Sequence, residues 1–512
     1  MKRWTITIAA MPIPDFRLRT KSEYMEEQNG SDSHSRNRKG NGQNEMDISF
    51  YGAAEEVGRS CIMIRAGKTK ILLDAGLGNI NEPGNDQNGK MRMPEIPDEE
   101  LKGVSAIFVT HAHLDHCCFV AHAFARGFRG NVYLTEPTAE LMKLQIADYV
   151  RISKPEEITS KVIKALAGSY KIVEYRKPFS FRNVRVEFIN AGHIIGSSLI
   201  RITYNGKSVL YTGDINLQKS LILNGADLNN VKADTLIMES TYGGADDIYG
   251  DQEARAEKMV NSINATLLAG GKVIIPSFGI GRSQEVLMFL NHVIESGKME
   301  KVPVYADGAV GKIMKVHRRN LRYCKKDIRE AMQSDKNFKF VSRNERNRIV
   351  KGGSCVIVTT SGMMKGGPVV FYMQKLASDP NNKLIIVGYQ ADGTPGRSIL
   401  DGAKEVDFEG HLVPIRLTVE QHKIMAHSDR KNLEEIPRRV HGLRKIFIVH
   451  GEKGKQISLS QSLTSSYDVV IPKIGETHSA VARRSSKAPA AAFPTLKHNP
   501  VSSLLTSPKN IL

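Results

Sequence analysis

Cysteine is scarce in this 512-residue chain, with five in all: Cys61, Cys117, Cys118, Cys324 and Cys355. A sparse, odd set excludes a disulfide-stapled secreted scaffold, and the spacing lacks the paired CxxC of a structural zinc site. These read as ordinary reduced thiols. Long apolar runs are missing too. None approaches the roughly 18 residues that cross a bilayer, so no membrane anchor is expected. Trp4 to Met11 follows Lys2 and Arg3 as in a signal peptide, but the stretch is short and runs into Pro12 and Pro14. The expected setting is cytoplasmic. There is no fixed-period internal repeat. Acidic residues are in deficit, 54 against 72 Lys and Arg, and the formal charge is +18. Residues 1–46 carry +2 of this and residues 476–512 carry +4, which leaves +12 on the body of the chain. A basic body favours a polyanion, either nucleic acid or an anionic membrane surface.

What is present describes a soluble globular protein. Its 41% hydrophobic and 25% charged residues exclude a mostly disordered chain. The length allows two or three domains. Residues 29–45 lack a hydrophobic period and are rich in Gly, Asn and Ser, so residues 1–46 read as a flexible extension. From 476 the chain turns to Ser, Ala, Pro and Lys and reads as a disordered tail to 512. Between them, DISFYG, SCIMIRAG and TKILLDAG are short β-rich segments punctuated by Gly. AIFVT (106–110) leads into a His-rich loop and a helix expected from Cys117 to Arg126. VRVEFINAG and SVLYTGD are further strands. From about Lys272, KVIIPSF, PVYAD, CVIVTT and KLIIVGY alternate with helical stretches, the pattern of a parallel sheet. After 405 the first texture returns, with KIFIVHGE as its clearest strand.

One cluster dominates. His111, His113, Asp115 and His116 fall within THAHLDH, directly after AIFVT. Imidazole and carboxylate at this density suit Zn²⁺. His111 and His113, two apart on an extended loop, can grip one ion, and Asp115 and His116, beyond the turn, a second. The alternative, four buried polar groups satisfied by hydrogen bonds alone, is costly beside an apolar strand. Two ions need more ligands. His193 (AGHIIGSS), Asp214 (YTGDIN), His427 (AHSDR) and His450 (IVHGE) each stand at a strand end among small residues. Singly, each is an unremarkable polar residue; their order and shared context make them a set. His34, His122, His292, His317, His411, His422, His441, His478 and His498 lack that context, with His411 and His422 the hardest to set aside.

HAHLDH followed by AGH, TGD and VHG resembles the metallo-β-lactamase fold. ESTYG (239–243), PSFGIGRSQE (276–285), TTSGMMKGGP (359–368), GYQADGTPGR (388–397) and AHSD (426–429) resemble its β-CASP nuclease branch. Within that branch the chain is most similar to archaeal relatives of the endonuclease subunit of the cleavage and polyadenylation specificity factor, in the short form without KH domains. The likeness covers about 47–475. It implies an α/β architecture: an αββα sandwich in two parts, 47–241 and 405–475, interrupted by a β-CASP domain with a parallel sheet at 242–404. It further implies two Zn²⁺ per chain. His111, His113 and His193 would hold the first, Asp115, His116 and His450 the second, with Asp214 bridging. Asp74, in ILLDAG, would orient the site from behind. His427 and Glu239, with Asp115, form the implied catalytic set, and Arg282, Ser361 and Gly362 the implied RNA contacts. The implied partners are single-stranded RNA, a second copy of the chain, and RNA-processing or exosome-type complexes.

The resemblance implies an endoribonuclease that leaves 5′-phosphate and 3′-hydroxyl ends. His427 would protonate the departing 3′ oxygen while Glu239 holds its other N–H. Gly279 and Gly281 precede a helix start, where free N–H groups attract phosphate, although a tight βα turn explains them equally well. Residues 312–351 hold 14 Lys or Arg against 4 acids, interleaved with Tyr323, Phe338 and Phe340. They read as a phosphate-tracking, base-stacking surface or as a solvated helix face. Three rivals stand beside this reading. A 5′-to-3′ exoribonuclease would share the metal site and add a pocket for a terminal phosphate. A small-molecule hydrolase gives no reason for Glu239, His427 or a basic insertion. An inactive RNA-binding scaffold would have lost ligands that are all present here.

Overall fold

The computed structural model describes residues 46–78, 91–422, 424 and 426–481. All of the flexible extension expected over 1–46 except Met46, and most of the tail expected over 476–512, lie outside them. Two seven-stranded sheets and one six-stranded sheet organise the chain.

The first sheet runs, edge to edge, through Thr477–Ser479, Met46–Phe50, Ile62–Ala66, Thr69–Leu73, Ala106–Phe108, Asn131–Leu134 and Tyr170–Ile172. The second runs through Asp468–Val470, Lys445–Val449, Thr235–Glu239, Lys207–Tyr211, Ser198–Tyr204, Val184–Asn190 and Phe179–Phe181. Their strands alternate side chains between two faces, and both faces are apolar. Ile62, Ile64, Leu73 and Phe108 pack against Val186, Phe188, Ile200, Tyr211 and Phe447 between the sheets. Met63, Leu72 and Ile107 point the other way, into a core shared with Phe119 and Leu141. Leu199, Leu210, Leu236 and Ile448 likewise turn outward to Leu433, Ile436 and Leu459. Helix, sheet, sheet, helix is therefore the only layering that buries all four faces. Phe108 anchors the middle, edge-on to Tyr133, Phe181 and Phe188 at 5.1, 5.8 and 5.9 Å.

The third sheet is wholly parallel, in the order Lys339–Val341, Val304–Asp307, Cys355–Thr359, Lys272–Pro276, Lys383–Ile386, Thr418–Gln421. Its last strand lies beyond the expected boundary at 404. Glu405–Phe408 and His411–Pro414 form a hairpin packed on the third sheet's core through Val406, Phe408 and Val413, and Thr418–Gln421 pairs with Lys383–Ile386. The sandwich texture resumes only after this strand. Within the segment expected as tail, Ser479, His478 and Thr477 pair with Asp47, Ile48 and Ser49, and Ala480 is buried. The helix expected over 117–126 is two pieces, Leu114–Cys117 and Phe119–Ala125. Among the described residues no helix is long and apolar enough to cross a membrane.

Sandwich and third sheet are clamped together behind Asp214. Glu285, on helix Arg282–Glu295, accepts hydrogen bonds from Ser220 Oγ (2.5 Å), Leu221 N (3.1 Å) and Ile222 N (3.3 Å). Burial raises the pKa of this carboxyl against those bonds. Glu285→Ala strands these donors and should cost about 1–3 kcal/mol, seen as a lower urea midpoint of unfolding.

A candidate metal centre and the cleft beside it

Every expected ligand sits just past the C-terminal end of a sandwich strand, along one rim. His111 to His116 follow Ala106–Phe108, His193 follows Val184–Asn190, Asp214 follows Lys207–Tyr211, and His450 follows Lys445–Val449. The loops there are tightly nested. A Cβ on Gly76 would stand 1.7 Å from the Asp115 carbonyl oxygen, so only glycine lets the segment after Asp74 pass beneath the HAHLDH loop.

The structure brings all seven side chains together in two groups. In the first, His113 Nδ1 lies 3.2 Å from His111 Nε2 and 3.1 Å from His193 Nε2. Asp214 Oδ2 is 3.4 Å from His111 Nε2 and 3.5 Å from His193 Nε2. In the second, His450 Nε2 lies 3.3 Å from both His116 Nε2 and Asp115 Oδ2. Asp214 Oδ1 is 3.2 Å from His116 Nε2. The two oxygens of Asp214 thus face different groups.

These spacings fit metal ligation. Four ligands tetrahedrally placed about 2.05 Å from one ion stand about 3.3 Å from each other. Nitrogen facing nitrogen at that range makes a poor hydrogen-bonded core, and buried Asp214 Oδ1 has no hydrogen-bond partner. The outward ring nitrogens, by contrast, are used. His116 Nδ1 donates to Asp74 Oδ2 at 2.7 Å, His193 Nδ1 to the Ala426 carbonyl at 2.8 Å, and His113 Nε2 to the Ile280 carbonyl at 3.4 Å. His111 Nδ1 meets Thr110 Oγ1 at 3.0 Å and His450 Nδ1 meets Thr241 Oγ1 at 3.2 Å. Such outer contacts fix the tautomer that turns the inner nitrogen toward an ion.

Charge divides the groups. Burial pushes His113 down to about 3 and His193 well below its ordinary range, so both are neutral. Burial also opposes charge on His450, yet Asp214 and Asp115 lift it to about 9. Carboxylates in the second group therefore demand positive charge, which a divalent cation would supply in place of protons.

Asp74, expected behind the site, is fully buried in the left-handed region at φ 59°. Besides His116 it accepts from Thr110 N (2.7 Å), Thr110 Oγ1 (2.8 Å) and Tyr211 Oη (3.0 Å). Thr110, Tyr211 and Thr241 were not expected from sequence. All three lie within quoted motifs, THAHLDH, YTGDIN and ESTYG, which is the only signal they give.

Glu239 and His427 meet as expected. His427 Nδ1 donates to Glu239 Oε1 at 2.8 Å, and Nε2 faces Asp214 Oδ2 at 3.8 Å. Glu239 is fully buried and also accepts from Ile215 N at 2.7 Å. Burial opposes protonation of His427, but Glu239 and Asp214 hold its pKa above the ordinary value. His422 bonds Glu420, and His411 sits on the exposed hairpin; neither joins the ligand groups.

The expected RNA contacts divide. Arg282 lines a cavity beside His427. Ser361 spends its hydroxyl on the Gly366 carbonyl at 2.9 Å, and Gly362 packs on Phe278 and accepts from Gln390 Nε2 at 3.0 Å. Neither lines that cavity. The basic stretch 312–351 is no continuous strip. Arg318 pairs with Asp335, Arg319 with Glu140, Arg322 with Glu136 and Arg346 with Asp307. Phe338 is buried against Phe340, and Tyr323 packs on Tyr175. Acids and packing thus take up part of the groups expected to face RNA.

A Metallo-beta-lactamase superfamily model matches residues 54–271 and a Beta-Casp domain model residues 283–399. The chain is 35% identical over 418 residues to the RNase J-like protein of Methanocaldococcus jannaschii, covering 81% of this chain and 95% of that one. It is 32% identical over 444 residues to the transcription termination factor FttA of Methanothermobacter thermautotrophicus (82% and 69%), and 35% over 440 to that of Lokiarchaeum (81% and 68%). A solved protein of unknown function from Enterococcus faecalis V583 shares the fold at a TM-score of 0.51 and 13% identity, over 85% of this chain and all of that one. Asp74→Asn weakens the acceptor that orients His116 and should reduce metal affinity roughly 10- to 100-fold. Competition with a chromophoric chelator measures this.

Proposed function

Because this chain belongs to the β-CASP branch of the metallo-β-lactamase superfamily, we propose that it is a two-zinc endoribonuclease that cuts single-stranded RNA to 5′-phosphate and 3′-hydroxyl ends. The observation that carries the reading is the pairing of a seven-ligand cluster with the Glu239–His427 couple at its edge. Two divalent ions in those groups would lower the pKa of water toward neutrality and offset charge building on phosphorus.

The rest falls to the chain's own side chains. Asp115, 18% exposed at its side chain, can accept the proton that the attacking water loses. Asp74, Thr110 and Tyr211 keep His116 oriented while charge moves. Glu239 holds the Nδ1 proton of His427, so Nε2 carries the proton that the departing 3′ oxygen needs. The ribose 2′ hydroxyl takes no part. The basic charge of +18 draws in the polyanion. The reading includes a cytoplasmic setting and a homodimer.

A 5′-to-3′ exoribonuclease would use the same groups. Circular single-stranded RNA separates the two: an endonuclease linearises it, with activity lost to chelator, whereas an exonuclease leaves it intact. His427→Ala should keep zinc and RNA binding while cleavage falls roughly 10²–10⁴-fold. Wild-type cleavage by that variant removes the proton-donor role.

A further inference from the structure

The pole of the sandwich opposite the ligand rim is made of turns. Thr69–Leu73, Val184–Asn190, Lys207–Tyr211, Thr235–Glu239 and Lys445–Val449 all begin there and end at the rim. Lys445 and His450 are five residues apart along one strand direction, so the pole lies about 17 Å from the ligands.

The turns are stitched to one another. Asn183 Nδ2 donates to the Ala66 carbonyl at 3.0 Å and Thr69 Oγ1 donates to Asn183 Oδ1 at 2.6 Å. The turn that carries Lys68 therefore packs on the turn that carries Arg182. Arg185 pairs across to Thr203, and Thr203 to Ser208. Ser208 N donates to Asp234 Oδ2 at 2.9 Å. Ala233 N donates to the His441 carbonyl at 3.1 Å, and Arg444 N to the Asp234 carbonyl at 3.0 Å. From Val184–Asn190 to Lys445–Val449 the line crosses five neighbouring strands, a width of about 19 Å.

Positive charge is in surplus along this line. Glu187 is taken up by Arg201, and Asp234 by Lys207 and Ser208. Lys68, Arg185, Lys232 and Arg444 are exposed and have no ion pair among the described residues, and Arg182 lies over the Phe181 ring. Asp468, opposite Lys445, offsets one of these five. The contrast is with Arg319 and Arg322, whose charges Glu140 and Glu136 absorb.

The surface between the cations is open and polar. Lys232, His441, Asn230 and Ser208 line a depression of about 730 Å³ with Gly206 and Gly442 at its edge. A Cβ on Gly206 would meet nothing within 4 Å, so a chain can lie close against the backbone there. Among the described residues that line it, none is aromatic and Ala233 is the sole apolar side chain. Nothing there stacks on a base or receives an apolar side chain, whereas a spaced row of cations suits a repeating phosphate.

We propose that this pole is a second RNA site, which grips the sugar–phosphate backbone of a single strand outside the cleft and without regard to its sequence. The inference rests on the reading of the chain as a ribonuclease. Long RNA is then held at two places, and RNA too short to reach from the rim to the pole is held at one. At about 3.4 Å per stacked nucleotide, the straight distance alone takes more than about four nucleotides.

The test replaces Lys68, Arg185, Lys232 and Arg444 together by Gln in the full-length protein. Binding of a 30-nucleotide single strand is read by fluorescence anisotropy in the His427→Ala background, so that the RNA outlasts the measurement. The four substitutions should weaken it roughly 10- to 100-fold at low salt and flatten the slope of log Kd against log salt by about 2 to 3. In the zinc-loaded protein that keeps His427, they should raise KM for the 30-mer by a similar factor and leave kcat/KM for a mapped tetranucleotide within about threefold. Replacing Lys258, Lys298, Lys301 and Lys404 by Gln removes the same charge from the other domain and should leave 30-mer binding within about threefold. An unchanged salt slope, a tetranucleotide penalised as much as the 30-mer, or a control set as damaging as the first overturns the second site. So does loss of polyglutamate binding with the 30-mer unaffected, which marks an acidic-peptide surface instead. A protein that binds the 30-mer through these cations yet cuts no RNA overturns the nuclease reading alone. One that cuts the 30-mer and is indifferent to the four substitutions overturns the second site alone.

Discussion

A buried carboxylate with a different set of imidazoles on each oxygen is the constraint around which this protein is arranged. Asp214 is 3% exposed, and its Oδ1 has no hydrogen-bond partner. Charge in such a place needs an opposite charge close by. The surrounding nitrogens come from three separate strand ends and Asp214 from a fourth, so the answer to that demand is built by the whole sandwich. The apolar faces that lock the two sheets together hold those strand ends in register. Behind them, Asp74 collects four donors and fixes the direction of one ring.

The third sheet is tied to this rim by the same chemistry. The Ile280 carbonyl accepts from His113, and the Ala426 carbonyl accepts from His193. Glu285 grips the segment that follows Asp214, and its own helix begins at Arg282. Ligand orientation and cleft geometry are consequently coupled: a shift of the third sheet would turn two ligand rings. The cavity beside His427 and the rim that carries the His and Asp groups are two faces of one packing arrangement.

Much of this was legible in the chain. HAHLDH is local, and its meaning follows from ligand types crowded after a strand. His193, Asp214 and His450 were legible through order and context, because strand ends punctuated by small residues survive as sequence pattern. The parallel sheet was legible through its continuous apolar strands. What escaped depends on contacts between distant residues. Thr418–Gln421 has little apolar character of its own and becomes a strand only by pairing with Lys383–Ile386. Thr477–Ser479 does so only against Met46–Phe50. Arg319 and Arg322 look free in sequence because their partners, Glu140 and Glu136, lie far away along the chain. Arg282 was named as an RNA contact through the resemblance, but the missing partners of its buried Nε and Nη1 are a property of the folded surroundings.

The central claim is that two ions occupy the groups on either side of Asp214. Anomalous diffraction at the zinc edge, from crystals of the metal-replete protein, addresses it directly. The account predicts two peaks about 3.5–4 Å apart, one against His111, His113 and His193, the other against Asp115, His116 and His450, with Asp214 between. A single peak, or none within reach of Asp214, contradicts it.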